Sequence, residues 1–294
     1  MLTIWSVSAE YGFVFFRGNG EDGVYLARSQ DGYHWAERSG ETILKGIVGG
    51  GLTRDPSVLY GQDGLYHMVW TTDWNTNGFG LAHSHDLQTW SRQEFVPVMD
   101  TIPDVANVWA PEIFFDKATC RYVVIWASTV GEPAREGKRD HRQWCATTKD
   151  FKSWSEPKEF FNPGFNVIDA FPLLLKDCPL FVVKDERLGR KCLFVAHLSG
   201  SSVLSPCERI DEPFTRTEDG WAEGPTALAL ADGTWVVYFD EYRKRQYGAV
   251  TTRDFMTFTR CHDIVLPKGI RHGTTFSIAS QSGANREQLL KQPQ

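Results

Sequence analysis

Short apolar runs, each opened by a turn, dominate the hydropathy pattern of the chain. GQDGLYHMVWTT (61–72), KATCRYVVIWAST (117–129) and LADGTWVVYFDEY (230–242) each read as a tight turn followed by a buried strand. Helix-period patterns are nearly absent, and Val, Tyr, Phe, Trp and Thr fill the runs. The pattern predicts an all-β chain.

Two series of elements recur along it. DGYHW (31–35), DLQTW (86–90), DFKSW (150–154) and DFMTF (254–258) form the first, with DEPFT (211–215) as a degenerate copy in the longest gap. RDPSVLY (54–60), APEIFFD (110–116), DAFPLLL (169–175), EGPTALA (223–229) and RHGTTFS (271–277) form the second and interleave with the first. Five units at a repeat of roughly fifty residues predict a five-bladed β-propeller. The second series supplies the innermost strands, and the first closes each blade with an aromatic anchor. The last inner strand lacks a following outer element, and the first outer element lacks a preceding inner strand. N-terminal strands that complete the last blade satisfy both, closing the ring and leaving few free sheet edges. One catalytic domain over 1–280 and a C-terminal tail over 281–294 are expected.

Composition narrows the function. Net charge is −6 over 294 residues, with Lys and Arg scattered, which argues against a nucleic-acid partner. No apolar run approaches a membrane span, so no membrane partner is expected. The six cysteines include no CxxC pair and are read as free thiols in a reducing compartment. The N-terminus, MLTIWSVSAEYG, carries no secretion signal, so the protein is cytoplasmic or has lost its signal. Eleven Trp residues fill layered sheets, and some of them suit stacking on the apolar faces of sugar rings.

Asp55, Glu112, Asp169 and Glu223 stand at the openings of four inner strands, which a propeller brings to one end of its central channel. A strand-initial acid alone is more often a turn cap or an ion-pair partner. Four in phase with the repeat repel one another, a cost that points to function. Glycosidic bond cleavage needs such a group: a protonated carboxyl for the leaving oxygen and an ionised one for water or attack. Burial and neighbouring charge raise the carboxyl that must stay protonated.

RDPSV (54–58), WAPE (109–112), VIDA (167–170), EGP (223–225) and RHG (271–273), in that order, resemble the motifs of glycoside hydrolase family 43. The resemblance spans about residues 52–276 and implies a five-bladed, inverting hydrolase with a carbohydrate substrate. It implies Asp55 as general base, Glu223 as general acid, and Asp169 as the carboxylate that tunes and orients the acid. WAPE stands where many members have WAPD, placing the longer Glu112 on the pocket floor; IDA replaces IDP. The resemblance requires no cofactor but places His272 beside a calcium or other cation that the channel of some members holds; a hydrogen-bonded core histidine is the plain alternative. Trp74, Trp109 and Phe171 are further candidates for sugar contact, and Arg271 is a candidate to contact the sugar or the carboxylates. His83 and His85 read as surface histidines, and EGKRDHR (136–142) as a solvated loop overhanging the pocket.

An exo-acting α-L-arabinofuranosidase is the expected activity, with β-xylosidase or β-galactofuranosidase as alternatives. A retaining fructosidase lacks its Asn-Asp-Pro-Asn nucleophile here, and a sialidase lacks its arginine cluster. A non-catalytic sugar-binding propeller has no reason to keep all three acids.

Overall fold

The computed structural model describes residues 10–37, 39–175, 178–216 and 221–278. The expected tail over 281–294 lies outside them. The chain forms β1 (Tyr11–Phe15), β2 (Tyr25–Ser29), β3 (Ala36–Glu37), β4 (Arg54–Tyr60), β5 (Tyr66–Thr71), β6 (Phe79–Ser84) and β7 (Glu94–Val96). Next come β8 (Trp109–Asp116), β9 (Arg121–Ser128), the single helical turn α1 (Glu132–Arg135), β10 (Arg142–Thr148) and β11 (Lys158–Phe161). Then follow β12 (Val167–Leu173), β13 (Leu180–Asp185), β14 (Cys192–Leu198), β15 (Cys207–Ile210) and β16 (Ala222–Ala229). The last are β17 (Trp235–Glu241), β18 (Gln246–Thr252), β19 (Thr259–Arg260) and β20 (Gly273–Ser277).

Among the described residues, twenty strands make five four-stranded antiparallel sheets, ordered β4-β5-β6-β7, β8-β9-β10-β11, β12-β13-β14-β15, β16-β17-β18-β19 and β20-β1-β2-β3. This is the five-bladed propeller that the repeat predicts. Ring closure is borne out in register: Tyr11 opposes Ser277 and Phe15 opposes Gly273. Five apolar clusters fill the gaps between adjacent blades; Trp126, Val124, Phe79 and Val69 belong to one, and Phe13, Trp35 and Tyr238 to another.

The recurring Asp element forms the turn into four of the five outer strands, with the same chemistry in each. Asp31, Asp86, Asp150 and Asp254 each accept two backbone N–H bonds from the second and third residues after them. Two residues earlier, Ser29, Ser84, Thr148 and Thr252 each accept the N–H of the residue that follows the Asp. That residue is left-handed in every copy, with φ of 77° at Gly32, 64° at Leu87, 59° at Phe151 and 54° at Phe255. Side-chain oxygens that satisfy the local backbone make this conformation tolerable, and Leu87, Phe151 and Phe255 are buried as plugs.

The degenerate copy at 211–215 is a misassignment. It follows β15 instead of preceding it; the loop before β15 lacks the Asp and docks through Ser202, which donates to Asp116 Oδ2 at 2.9 Å. All six cysteines are unpaired. No described helix is long and apolar enough to cross a membrane.

Candidate active site

Each of the first four inner strands breaks register once against its neighbour, between Arg54 and Ser57, Trp109 and Glu112, Ile168 and Phe171, and Glu223 and Thr226. The residue inside each break is left-handed: Asp55 (φ 48°), Ala110 (48°), Asp169 (53°) and Gly224 (55°). In three of the four a proline follows, at a place where its missing N–H costs no ladder bond. Bulges re-aim side chains next to active sites, and strained non-glycine backbone is a pointer to function. Here they turn Asp55 and Asp169 out of their ladders toward one centre.

That centre is His272, which precedes β20. Its Nδ1 lies 3.3 Å from Asp55 Oδ1 and 3.9 Å from Asp169 Oδ2. A side chain on Gly224 would stand 2.3 Å from the His272 ring, so the glycine of EGP is what lets the ring in. The Gly224 N–H donates to Asp169 Oδ2 at 2.9 Å, which ties the strand carrying Glu223 to Asp169. Thr71 donates to Asp55 Oδ2 at 2.9 Å. Glu223 is gripped from two sides, by Lys184 Nζ at Oε2 (2.8 Å) and by Arg271 Nη2 at Oε1 (3.1 Å). Arg271 also pairs with the buried Asp240.

The charges divide. Burial opposes ionisation of Asp55, but His272, Arg54 and Thr71 outweigh it and hold the carboxyl at about 2. Burial pushes Asp169 up to about 6 against the pull of His272 and Lys184, and the charge on Glu223 adds to the rise. Burial also raises Asp240 to about 7 despite Arg271. For Glu223, burial is overcome by Lys184 and Arg271, and its pKa is lowered. The sequence led us to expect the opposite: it offered Arg271 as a contact to the carboxylates but did not disclose Lys184. Burial disfavours charge on His272, but Asp169 and Asp55 more than compensate and raise it to about 9.

A model of the family described as "Probable glycosyl hydrolase domain", related to glycosyl hydrolase family 43, matches residues 7–283. The chain belongs to this family 43-related group of glycoside hydrolases. An α-L-arabinofuranosidase of Bifidobacterium longum subsp. longum is 23% identical over 255 residues, covering 72% of this chain. The chain spans only 24% of the length of that relative. Among solved structures, the α-L-arabinofuranosidase of Lactobacillus brevis superposes with a TM-score of 0.56 at 16% identity, over 71% of this chain and 72% of that one. The endo-arabinase of Bacteroides thetaiotaomicron VPI-5482 gives 0.58 at 13% identity, over 82% and 99%. At these identities the structural likeness concerns the fold.

In this family 43-related hydrolase the other candidates fall into two places. Trp74 and Trp109 form one wall of the mouth, with rings edge to face at 5.5 Å and the Trp109 indole donating to the Trp74 carbonyl. Arg54 lies over the Trp74 ring and Arg139 over Trp109. Arg139 also donates to Asn75 and Asn107, so the 136–142 loop does reach the mouth. Phe171 instead lines an apolar cavity of about 380 Å³, whose walls run to Tyr60, Leu174 and Ser277 at the far ends of the inner strands. Asp55, Asp169 and Glu223 are not among the residues that line it.

The phase of the acids needs a correction. Only Asp55 and Asp169 share the left-handed position of the bulge; Ala110 and Gly224 occupy it in the other two strands, with Glu223 one residue before Gly224. Glu112 lies two residues beyond Ala110, buried, where Ser57 donates to it at 2.6 Å and Thr274 at 3.1 Å. It also touches the apolar cavity. Burial lifts its pKa to about 7 against those hydrogen bonds. His83 differs too: it hydrogen-bonds the buried His67 at 2.7 Å between Nδ1 atoms, while His85 is exposed.

Among the described residues no group of three or more His, Cys, Asp or Glu side chains is arranged to hold a metal ion.

Lys184 and Asp240 were missed in the sequence, as were Thr71, Arg54 and Arg139. The first three hold one structural position: Lys184 opposes Ile168, Asp240 opposes Glu223 and Thr71 opposes Arg54 across the bulges. A charge in the otherwise apolar runs LFVVKD and WVVYFDE was the available signal.

Proposed function

We propose that the protein is an inverting, exo-acting α-L-arabinofuranosidase in which Asp55 is the general base, Glu223 the general acid, and Asp169 the carboxylate that tunes and orients Glu223. The observation that carries this reading is that Asp55 and Asp169, from separate blades, both approach His272, while the Gly224 N–H ties the strand of Glu223 to Asp169, with the three carboxyls' affinities for protons driven apart. Asp55, at about 2, is ionised at any physiological pH, as a base for water must be. Asp169 and Glu223 repel each other across the Gly224 link and share one proton as a pair. In the free pocket the two cations on Glu223 leave that proton on Asp169, at about 6. A sugar hydroxyl that takes over the Arg271 hydrogen bond, together with expulsion of water, raises Glu223 and moves the proton to it.

Arabinofuranose is favoured by the Bifidobacterium relative and the Lactobacillus neighbour, both α-L-arabinofuranosidases. Exo action is supported by the packed cluster of Trp74, Trp109 and Arg139 at the bulged end of β8, which leaves less room there for a passing polymer. The deciding experiment is hydrolysis of nitrophenyl α-L-arabinofuranoside, β-D-xyloside and β-D-galactofuranoside side by side. The arabinofuranoside is expected to be cleaved with the highest kcat/KM. A higher value for either of the others would reassign the substrate and leave the three roles intact.

A further inference from the structure

Lys184 is a buried ammonium at the end of a strand in which every other residue is buried as well. An isolated charge there is costly, and the structure shows what offsets it. Its Nζ binds Glu223 Oε2 at 2.8 Å and Glu186 Oε2 at 2.7 Å, and lies 4.8 Å from the centre of the Tyr242 ring. Glu186 is shared in turn with Lys191. The two cations on Glu223 are not equivalent. Arg271, whose side chain is 30% exposed, holds Oε1 from the mouth; Lys184, at 2%, holds Oε2 from behind and cannot reach a substrate.

We propose that Lys184 is a positioning residue that anchors Oε2 of Glu223 from the rear, so that Oε1 alone is presented to the bond being cleaved. The inference rests on Glu223 being the proton donor. In that step the proton leaves Oε1 for the glycosidic oxygen as the C–O bond breaks and its electron pair goes to that oxygen. Glu223 is left as a carboxylate, and its new charge develops beside a fixed ammonium that needs no reorganisation. The same contact helps set the pH at which Glu223 loses its proton, because a cation beside a carboxyl favours the ionised form.

The test is the pH dependence of kcat/KM on a substrate with a poor leaving group, for wild type, Lys184→Gln, Lys184→Arg and Glu186→Gln. Removing the ammonium should move the descending basic limb to higher pH by about one unit or more, a tenfold change in proton affinity, and lower kcat. Lys184→Arg should restore the limb. Glu186→Gln removes a competing anion, leaves Lys184 fully to Glu223, and should move the limb to lower pH. Opposite shifts from two neighbours are not what a merely structural pair would give. A folded Lys184→Gln protein with an unmoved limb would overturn the proposal; if that variant does not fold, an unmoved or raised limb in Glu186→Gln would do so. Glu223→Gln separates the two levels. If it keeps turnover on the same substrate, the proton-donor reading fails; if it loses turnover while the limb ignores Lys184, only the anchoring fails.

Discussion

At the residue scale, the account rests on a few side chains whose charge is set by their immediate neighbours. Asp55→Asn and Glu223→Gln should each cut kcat at least ~10²-fold on an unactivated linkage, the usual share of acid–base catalysis; near-normal turnover in either would remove that residue from its role. Gly224→Ala should be comparably harmful, because the new methyl both meets the His272 ring and strains a backbone with φ of 55°. Its crippled turnover with intact circular dichroism would locate the damage at the His272 contact. The raised groups also predict how stability changes with pH. Burial lifts Glu112 and Asp240 to about 7 and Asp169 to about 6, and the Asp169 and Asp55 charges lift His272 to about 9. All four hold protons more tightly folded than unfolded, so their contribution is full below the unfolded values and is lost as pH rises through 6 to 9. The buried His67, His141 and His83, whose pKa burial lowers, act in the opposite sense up to about pH 6.5. The melting temperature should therefore fall between pH 6.5 and 9, and Glu112→Gln should flatten the part near 7. A melting temperature that rises over this range would contradict these assignments. A chelator should leave turnover unchanged, since no group of three His, Cys, Asp or Glu among the described residues is arranged to hold a metal ion; loss of activity restored by calcium would show otherwise.

At the scale of single elements, the outer-strand turn and the inner-strand bulge do most of the positioning. Thr148→Val keeps shape but leaves the buried Phe151 N–H without its acceptor, which should cost about 1–3 kcal/mol in denaturant unfolding; an unchanged midpoint would mean that the hydroxyl is not what holds the turn. The turn was legible because its Asp and aromatic residue recur at fixed spacing, and the strands because their apolar runs are short and bounded. The bulge was not. Within each inner strand it inserts an unpaired residue, which moved Glu112 two positions away from the layer it was assigned to and put Ala110 there instead. The copy at Asp211 failed for a related reason: the local pattern survived while the loop before β15 found another anchor, Ser202 on Asp116. Lys184 and Asp240 sit in second strands, where the motif pattern is silent, and only their charge within apolar runs set them apart.

For the whole molecule, closure by β1 against β20 keeps the five blades, and so the three carboxyls, in fixed relation. Gly12 lies under the Phe276 ring, where a Cβ would meet the ring at 2.5 Å, so Gly12→Val should loosen the ring at its seam. A destabilisation of about 1–3 kcal/mol is expected from such overpacking, read as a lower melting temperature; no change would show that the seam tolerates bulk. The same ring sets the stereochemistry. Asp55 and Glu223 stand on β4 and β16, whose blades are separated by the closing blade, so the two acids do not come from neighbouring blades. A separation of ~6.5–9.5 Å suits inversion, against about 5–5.5 Å for retention. Proton NMR of the sugar first released from a substrate of defined configuration tests this most directly. The account predicts the anomer opposite to that of the substrate, appearing before mutarotation. Early release of the same anomer, or a trapped glycosyl-enzyme, would contradict it.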